Sequence, residues 1–232
     1  MNYQDEKLNY TDAAAYDKRG ESSALENYVL DLWQPFLKKI IRNLSIGKTV
    51  VDLGCGTCEY TQAAQAARKI YAVDISESML KVCRQKLGRF PQAEIINLPI
   101  KNFDLTGELA DLVITIGVWE YIDSQELLEA IKKITHRGSK IIIVFPNRYN
   151  GFHIERSIAK GKWSGLRPGF IRRIFKEEFL LLDSASFANV CWAPKSIQFL
   201  VRPFWQFGDW LWSPFQKFLP LGVNIYYLFE RK

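Results

Sequence analysis

Apolar residues follow two different patterns along the chain. Between residues 25 and 41 they recur every three or four positions, which predicts one long amphipathic helix. Ser23 with Glu26 forms a capping box at the start of this segment. Pro35 is expected to kink or split the helix, because proline removes a backbone hydrogen-bond donor.

From residue 48 onward, short apolar runs alternate with helical segments, a pattern typical of parallel strands joined by helices. Strands are predicted at 48–53, 69–74, 93–97, 111–116, 140–145, 187–192 and 224–230, and helices at 59–68, 76–87, 123–135 and 170–182. The predicted fold class is α/β. It is a Rossmann-like, doubly wound, mostly parallel seven-stranded sheet with helices on both faces, an N-terminal helical extension and a C-terminal aromatic-rich insertion.

The 232 residues suffice for one domain of this kind and are short for two. We expect a helical cap at 1–46, a ligand-binding core at 47–146, and a basic loop, lid segments and closing strands at 147–232. No apolar run reaches the roughly 18 residues of a membrane-spanning helix. Residues 1–7 lack the apolar region of a signal peptide. A cytoplasmic protein is therefore expected, with association to a membrane surface left open.

The charge balance allows an anionic partner. Lysine and arginine number 31 against 25 acidic residues, a net charge of +6, which suits nucleic acid, a phosphorylated molecule or a lipid surface. Residues 147–176 hold eight of the basic residues and one acid. This segment is either an RNA-binding stretch or a solvated loop.

A glycine-rich turn after the first predicted strand, residues 50–57, carries the main chemical signal. Asp74 lies twenty residues after Gly54, at the end of the next strand, where a carboxylate accepts the hydroxyls of a ribose. A dinucleotide site would have a third glycine at position 59 and would bind a pyrophosphate at the N-terminus of the following helix. Glu59 stands there instead, and Asp52 suits a cationic ligand. These residues favour S-adenosylmethionine over a dinucleotide.

Cys55 and Cys58 form a C-x-x-C pair within the same turn. Such a pair serves in redox chemistry or as half of a zinc site. No second close pair is present, so we expect both cysteines to act as small residues that fill the turn, and no metal is predicted.

Residues 51–56 resemble motif I of the class I S-adenosylmethionine-dependent methyltransferases of small-molecule type. Residues 72–80 resemble the second motif of that family, 111–122 its fourth strand and following turn, and 140–146 its fifth strand. The resemblance implies an enzyme that uses S-adenosyl-L-methionine and releases S-adenosyl-L-homocysteine.

The resemblance also implies a set of cofactor-binding residues: Asp52, Gly54, Cys55, Gly56, Asp74, Ile75, Asn97, Leu98, Ile116 and Gly117. By this resemblance, the aspartate and glycines of the first turn contact the methionine part, and the aspartate after the second strand binds the ribose. Ile75 would flank the adenine, with Asn97 and Leu98 at its edge. Ile116 and Gly117 would face the methyl group. Many relatives have glycine at position 58 and aspartate at position 97.

The expected acceptor is an oxygen or nitrogen of a small, hydrophobic or lipid-like molecule, covered by the N-terminal helix and by segments after residue 146. His153 follows the fifth strand, on the ligand-binding side of such sheets, and is the candidate catalytic base. Tyr121 stands where relatives that act on phenolic hydroxyls often carry histidine. The alternatives are an RNA methyltransferase that uses the basic segment 148–176, and a non-catalytic Rossmann-like binding module.

Residues 195–218 contain eight phenylalanines and tryptophans. Three interpretations remain open: core or dimer interface, lining of an apolar acceptor pocket, or contact with a membrane surface. Pro203, Pro214 and Asp209 argue against a long uninterrupted amphipathic helix. The partners expected are a small, amphiphilic acceptor and a membrane surface ahead of nucleic acid, for a chain that is a monomer or homodimer.

Overall fold

The computed structural model describes residues 24–150, 165–188, 198–212 and 220–232, together with positions 13 and 214. Seven strands form one sheet in the order β3-β2-β1-β4-β5-β7-β6. Strands β1 to β5 run parallel, and β7 pairs antiparallel with both β5 and β6. The strands are β1 Thr49–Leu53, β2 Lys69–Asp74, β3 Ala93–Asn97, β4 Ala110–Ile116, β5 Thr135–Pro146, β6 Phe179–Phe187 and β7 Asn224–Arg231.

Within the described ranges, five helices pack on the two faces of this sheet: α1 Ala24–Leu44, α2 Glu77–Leu87, α3 Ser124–Ile134, α4 Pro168–Phe175 and α5 Gln198–Trp212. Helices α3 and α4 share one buried cluster with the strands, while α1 and α5 pack on the opposite face. Helix α2 lies against β2 in a third cluster. The predicted α/β fold class, with a mostly parallel seven-stranded sheet, is confirmed.

Helix α1 runs through Pro35 as one element, so the expectation that this proline would split it is wrong. Proline inside a helix costs about 3 kcal/mol. Pro35 itself is exposed, whereas Trp33, Leu37 and Ile41 are buried on the sheet-facing side. Burial of this apolar face outweighs the local cost.

Three predicted elements differ from the structure. The helix expected at 59–68 is only the single 3-10 turn Thr61–Ala64, because the chain must return to β2 within a few residues, as the bond from Arg68 N to Lys48 O shows. The helix expected at 170–182 ends at Phe175, and the apolar run from Phe179 begins β6. Of the strand expected at 187–192, Phe187 ends β6 and Ala188 follows it outside the strand, while residues 189–192 lie outside the described part of the chain.

Residues 198–212 of the aromatic segment form helix α5, which continues through Pro203, contrary to the expected break. Among the described residues, no helix combines the length and the apolar character needed to cross a membrane.

Candidate active site

The turn after β1 depends on glycine for two separate reasons. Gly54 has a φ of +74°, a left-handed conformation that side chains disfavour. A Cβ atom at this position would also lie 2.5 Å from Cγ2 of Val118, in the turn after β4. The amides of Gly54 and Cys55 both donate to Val73 O, at 2.8 and 3.0 Å. The carboxyl ends of β1, β2 and β4 are therefore packed together at one edge of the sheet, here called the carboxyl edge.

Asp74 is held at this edge by backbone donors from two turns. The amide of Gly56 donates to its Oδ2 atom at 2.8 Å, and the amide of Ser76 donates to its Oδ1 atom at 2.8 Å. Burial raises the pKa of Asp74, while these amides counteract the rise. A carboxylate offers about four acceptor positions, so Asp74 keeps capacity for a ligand hydroxyl beyond its bonds to the backbone amides of Gly56, Ile75 and Ser76. Gly56 has open space on its Cβ side.

Asp52 lies beneath the glycine turn and is only 4% exposed. Its Oδ2 atom accepts a hydrogen bond from Thr61 Oγ1 at 2.5 Å. Burial raises the pKa of Asp52 to about 7, and the nearby Asp74 adds to the rise against the opposing bond from Thr61. A buried carboxylate of this kind is stabilised by a cationic ligand group. Thr61 carries no sequence signal for this role.

Two apolar side chains are exposed beside Asp74. Ile75 and Leu98 are 49% and 39% exposed, at the ends of β2 and β3. Asn97 links these ends, because its Nδ2 atom donates to the carbonyls of Asp74 and Ile75 at 3.1 and 3.0 Å. The arrangement offers an apolar surface next to a hydroxyl-binding carboxylate.

The end of β4 completes the carboxyl edge. Gly117 has a φ of +67° and donates its amide to Val144 O at 2.9 Å. Asp52 pairs in register with Ile114, so Ile116 lies just beyond the buried aspartate along the neighbouring strand. The structure thus brings all ten predicted cofactor-binding residues to the ends of β1, β2, β3 and β4.

Residues 51–143 match the protein family described as Methyltransferase domain. This region of the chain is therefore similar to a methyltransferase domain. The resemblance to S-adenosylmethionine-dependent methyltransferases drawn from the sequence motifs is confirmed.

Relatives of this methyltransferase domain differ in what their names say they methylate. The chain is 31% identical over 113 residues to a ribosomal protein L11 methyltransferase of Thermotoga maritima, covering 47% of this chain and 39% of that relative. It is 32% identical over 95 residues to a demethylmenaquinone methyltransferase of Symbiobacterium thermophilum, covering 38% of each. The chain spans about two fifths of the length of these curated relatives.

Solved methyltransferase structures share the fold over much more of the chain. Magnesium protoporphyrin IX methyltransferase from Synechocystis PCC 6803, with bound S-adenosylhomocysteine, has a TM-score of 0.70 at 16% identity and covers 100% of both chains. The N-methyltransferase NodS from Bradyrhizobium japonicum WM9, in complex with S-adenosyl-l-homocysteine, has a TM-score of 0.59 at 13% identity and covers 90% of this chain and 96% of its own.

Glu59 of the methyltransferase domain is not a free negative charge. Lys38 Nζ lies 2.5 Å from its Oε1 atom, and Lys86 Nζ lies 3.0 Å from its Oε2 atom. Burial acts to raise the pKa of Glu59, but the two lysines outweigh it and hold the pKa below its usual value. The electrostatic argument against a phosphate at this turn is therefore weaker than the sequence suggested. The absence of a third glycine still argues against a dinucleotide site.

Cys58 does more than fill the turn, contrary to expectation, because it forms a disulfide with Cys83 of α2. Sequence spacing carries no signal for this pairing. Cys58 has a φ of +61°, a left-handed conformation that glycine adopts most readily. Cys55 is a free thiol in the same turn, and burial raises its pKa well above the usual value. The three sulfur atoms lie within 4.8 Å of one another.

The structure describes one of the two histidines of the chain. His153 lies outside the described residues and remains a prediction. His136 lies at the start of β5, where its Nε2 atom is 3.3 Å from Asp111 Oδ1. Asp111 is near the start of β4, at the opposite edge of the sheet from the glycine turn. His136 is therefore excluded from the chemistry of the carboxyl edge.

Proposed function

We propose that the chain transfers the methyl group of S-adenosylmethionine to an oxygen or nitrogen of a small, amphiphilic acceptor. The observation that carries the proposal is the arrangement at the carboxyl edge. There, Asp74 keeps hydrogen-bonding capacity beside a glycine turn with open space at Gly56, and Asp52 lies buried beneath that turn.

The residues present fit the chemistry of this cofactor. Asp74 would accept hydrogen bonds from the ribose hydroxyls. Asp52 would face the cationic amino-acid end, for which the turn formed by Gly54, Cys55 and Gly56 supplies backbone groups. Ile75 and Leu98 would cover the adenine, with Asn97 at its edge. Ile116 and Gly117 would border the methyl group.

S-adenosylmethionine, when bound, supplies a methyl group already activated by a sulfonium. The protein then has mainly to align the acceptor with that group and exclude competing water. We propose that the helical cap, the cofactor core and the closing segments act together as one catalytic domain in this task. His153 is the proposed base that accepts a proton from an acceptor hydroxyl or amine.

An apolar acceptor is supported by what covers the carboxyl edge. Helices α1 and α5 pack against each other there, with the rings of Tyr28 and Trp205 5.5 Å apart. The names of the relatives include a quinone, a porphyrin and a ribosomal protein. These names differ in acceptor class, so we infer the acceptor class from the residues of this chain.

The RNA alternative draws less support from the described part of the basic segment. The guanidinium of Arg172 lies 5.0 Å from the ring centre of Tyr227, and that of Arg173 lies 5.7 Å from the ring centre of Phe170. Both side chains are thus engaged with aromatic rings, rather than forming a continuous basic track with Arg167 and Lys176.

The test is transfer of tritium from methyl-labelled S-adenosylmethionine to a lipid extract or to total RNA, each supplied separately. We expect label in the lipid extract and none with Asp74→Asn. Label confined to RNA would support the RNA alternative. Binding of S-adenosylhomocysteine without labelling of either would leave a non-catalytic module.

The role of His153 is tested with the same assay. We expect His153→Ala to lower turnover by about a hundredfold or more while S-adenosylhomocysteine still binds. His136→Ala, at the opposite edge of the sheet, is the matched control and should retain turnover. Equal turnover for both variants would remove His153 from the proposal.

A further inference from the structure

Helix α5 turns large apolar side chains outward. Phe204, Phe207 and Trp210 are 72%, 61% and 69% exposed, and Leu200 and Leu211 are also exposed. Positions 200, 204, 207 and 211 are spaced four, three and four residues apart, so they form one stripe along the helix. Contiguous apolar surface of this kind is uncommon on proteins without a partner. We call these five side chains the α5 outer face.

The opposite side of α5 fixes the helix on the protein. Trp205 is 3% exposed. Tyr28 donates its hydroxyl to Asp209 Oδ2 at 2.6 Å, and Arg202 donates to Asp31 Oδ2 at 2.6 Å. The apolar stripe therefore lies on the side of the helix away from these contacts.

The contacts of α5 also locate it at the carboxyl edge. Helix α1 ends beside the start of β1, where Lys48 N donates to Ser45 O. Its first turns, including Tyr28, lie about 25 Å away along the helix axis at 1.5 Å per residue. Trp33 packs on Tyr60, just after the glycine turn, with ring centres 5.5 Å apart. Because α5 packs on the first turns of α1, it lies at the same edge as Asp52.

Charge identifies the kind of surface that would cover this face. The acid on α5, Asp209, accepts the Tyr28 hydroxyl and does not belong to the outer face. The chain has a net charge of +6, so a surface that covers this face gains by carrying negative charge. A second copy of the chain would bring the same positive charge, whereas an anionic lipid surface would complement it.

We propose that the α5 outer face inserts into the interface of an anionic phospholipid bilayer and turns the carboxyl edge toward the membrane. Aromatic rings suit the boundary between water and lipid. Resting on the proposed function, this docking would let an amphiphilic acceptor reach the methyl-transfer site from the bilayer.

Flotation with phosphatidylcholine vesicles, with and without phosphatidylglycerol, tests the docking directly. We expect the full chain to float with the anionic vesicles, and Phe204→Ser combined with Trp210→Ser to lower partitioning by about tenfold or more. The matched control is Ile46→Ser combined with Leu109→Ser. Both residues are exposed and apolar, they lie near the starts of β1 and β4, and their loss should leave flotation unchanged.

Two readouts keep this proposal separate from the proposed function. Titration with S-adenosylhomocysteine should give equal affinity for both double variants, which shows that they are folded, and its failure in the wild type would count against the proposed function alone. Absence of flotation, or equal flotation of all three proteins, would overturn the docking. A dimer in analytical ultracentrifugation that the Phe204 and Trp210 substitutions dissociate would also overturn it, because the face would then join two copies.

Discussion

The glycine turn after β1 and helix α5 lie at the same edge of the sheet, yet they place polar and apolar side chains in opposite ways. At the turn, Asp52 is buried and bonded to Thr61, and Asp74 is held by two backbone amides. On α5, Phe204 and Trp210 project outward. A buried carboxylate is costly without a partner, and an exposed aromatic stripe gains by being covered.

This difference separates two kinds of recognition. The turn uses hydrogen bonds and charge in fixed positions, which suit one small polar ligand. Helix α5 uses apolar area without directional bonds, which suits an extended or variable surface. We infer that the turn serves the cofactor, and that α5 serves contact with an apolar surface.

The largest expected effect contrasts the two sides of α5. Trp205→Ala should lower the free energy of unfolding by about 3–5 kcal/mol, because it empties a buried aromatic site. Trp210→Ala removes an exposed ring and should change it by no more than about 0.5 kcal/mol. Urea denaturation of both variants gives the comparison. Similar losses for the two would mean that the outer side of α5 is buried in solution.

The next effect concerns the link between the turn and α2. Reduction of the Cys58–Cys83 disulfide should lower the free energy of unfolding by about 3 kcal/mol, as estimated from the loop that it closes. Denaturation with and without dithiothreitol measures this loss. Cys83→Ser should show the same loss and no response to reductant, while Cys55→Ser should keep the response. A wild-type chain insensitive to reductant would contradict the pairing.

Two glycines of the turn separate packing from backbone conformation. Alanine at either Gly54 or Gly56 adopts a left-handed conformation at a cost of about 1–2 kcal/mol. At Gly54 the added Cβ also collides with Val118, which adds about 1–3 kcal/mol. Thermal denaturation should therefore rank Gly54→Ala well below Gly56→Ala. Equal stability would show that the turns after β1 and β4 are not packed together.

A smaller effect follows from the titration of Asp52, whose pKa is raised to about 7. A cationic ligand group favours the ionised carboxylate, so the affinity for S-adenosylhomocysteine should rise about tenfold from about pH 6 to about pH 8. The free energy of unfolding of the ligand-free protein should change in the opposite direction and fall as pH rises. For a carboxyl whose pKa is raised by folding, the stabilisation is full below the pKa of the unfolded chain and is lost as pH rises through about 7.

Calorimetric titration across this pH range, with Asp52→Asn as the comparison, measures the dependence. The variant should bind with little change over the same range. A wild-type affinity that is constant with pH would mean that Asp52 does not face the cationic end of the ligand.

Much of the cofactor half could be predicted from the sequence because each feature has a local cause. Alternating apolar runs predicted the parallel strands, and the helix predicted at 123–135 begins where Asp123 accepts the amides of Gln125 and Glu126. The glycine turn could be predicted because a left-handed backbone conformation favours glycine. The positions of Asp52 and Asp74 followed from strand ends meeting at one edge of a parallel sheet.

The C-terminal half was harder because its structure depends on distant partners. The run from Phe179 is as apolar as a buried helix, and only its pairing with β7 makes it strand β6. Pro203 predicted a break, but contacts of α5 with α1 keep the helix continuous. The Cys58–Cys83 disulfide and the bond from Thr61 to Asp52 likewise join residues whose proximity exists only in the folded chain.

Titration of the purified chain with S-adenosylhomocysteine, comparing wild type with Asp74→Asn and with Asp104→Asn, tests the central claim most directly. Asp104 carries an exposed carboxylate paired with Lys133 on the surface, so its variant is the matched control. We predict binding by the wild type and the control, and an affinity about thirtyfold or more weaker for Asp74→Asn, since hydrogen bonds to a charged group are lost. Absence of binding by the wild type, or equal affinity of all three proteins, would contradict the account.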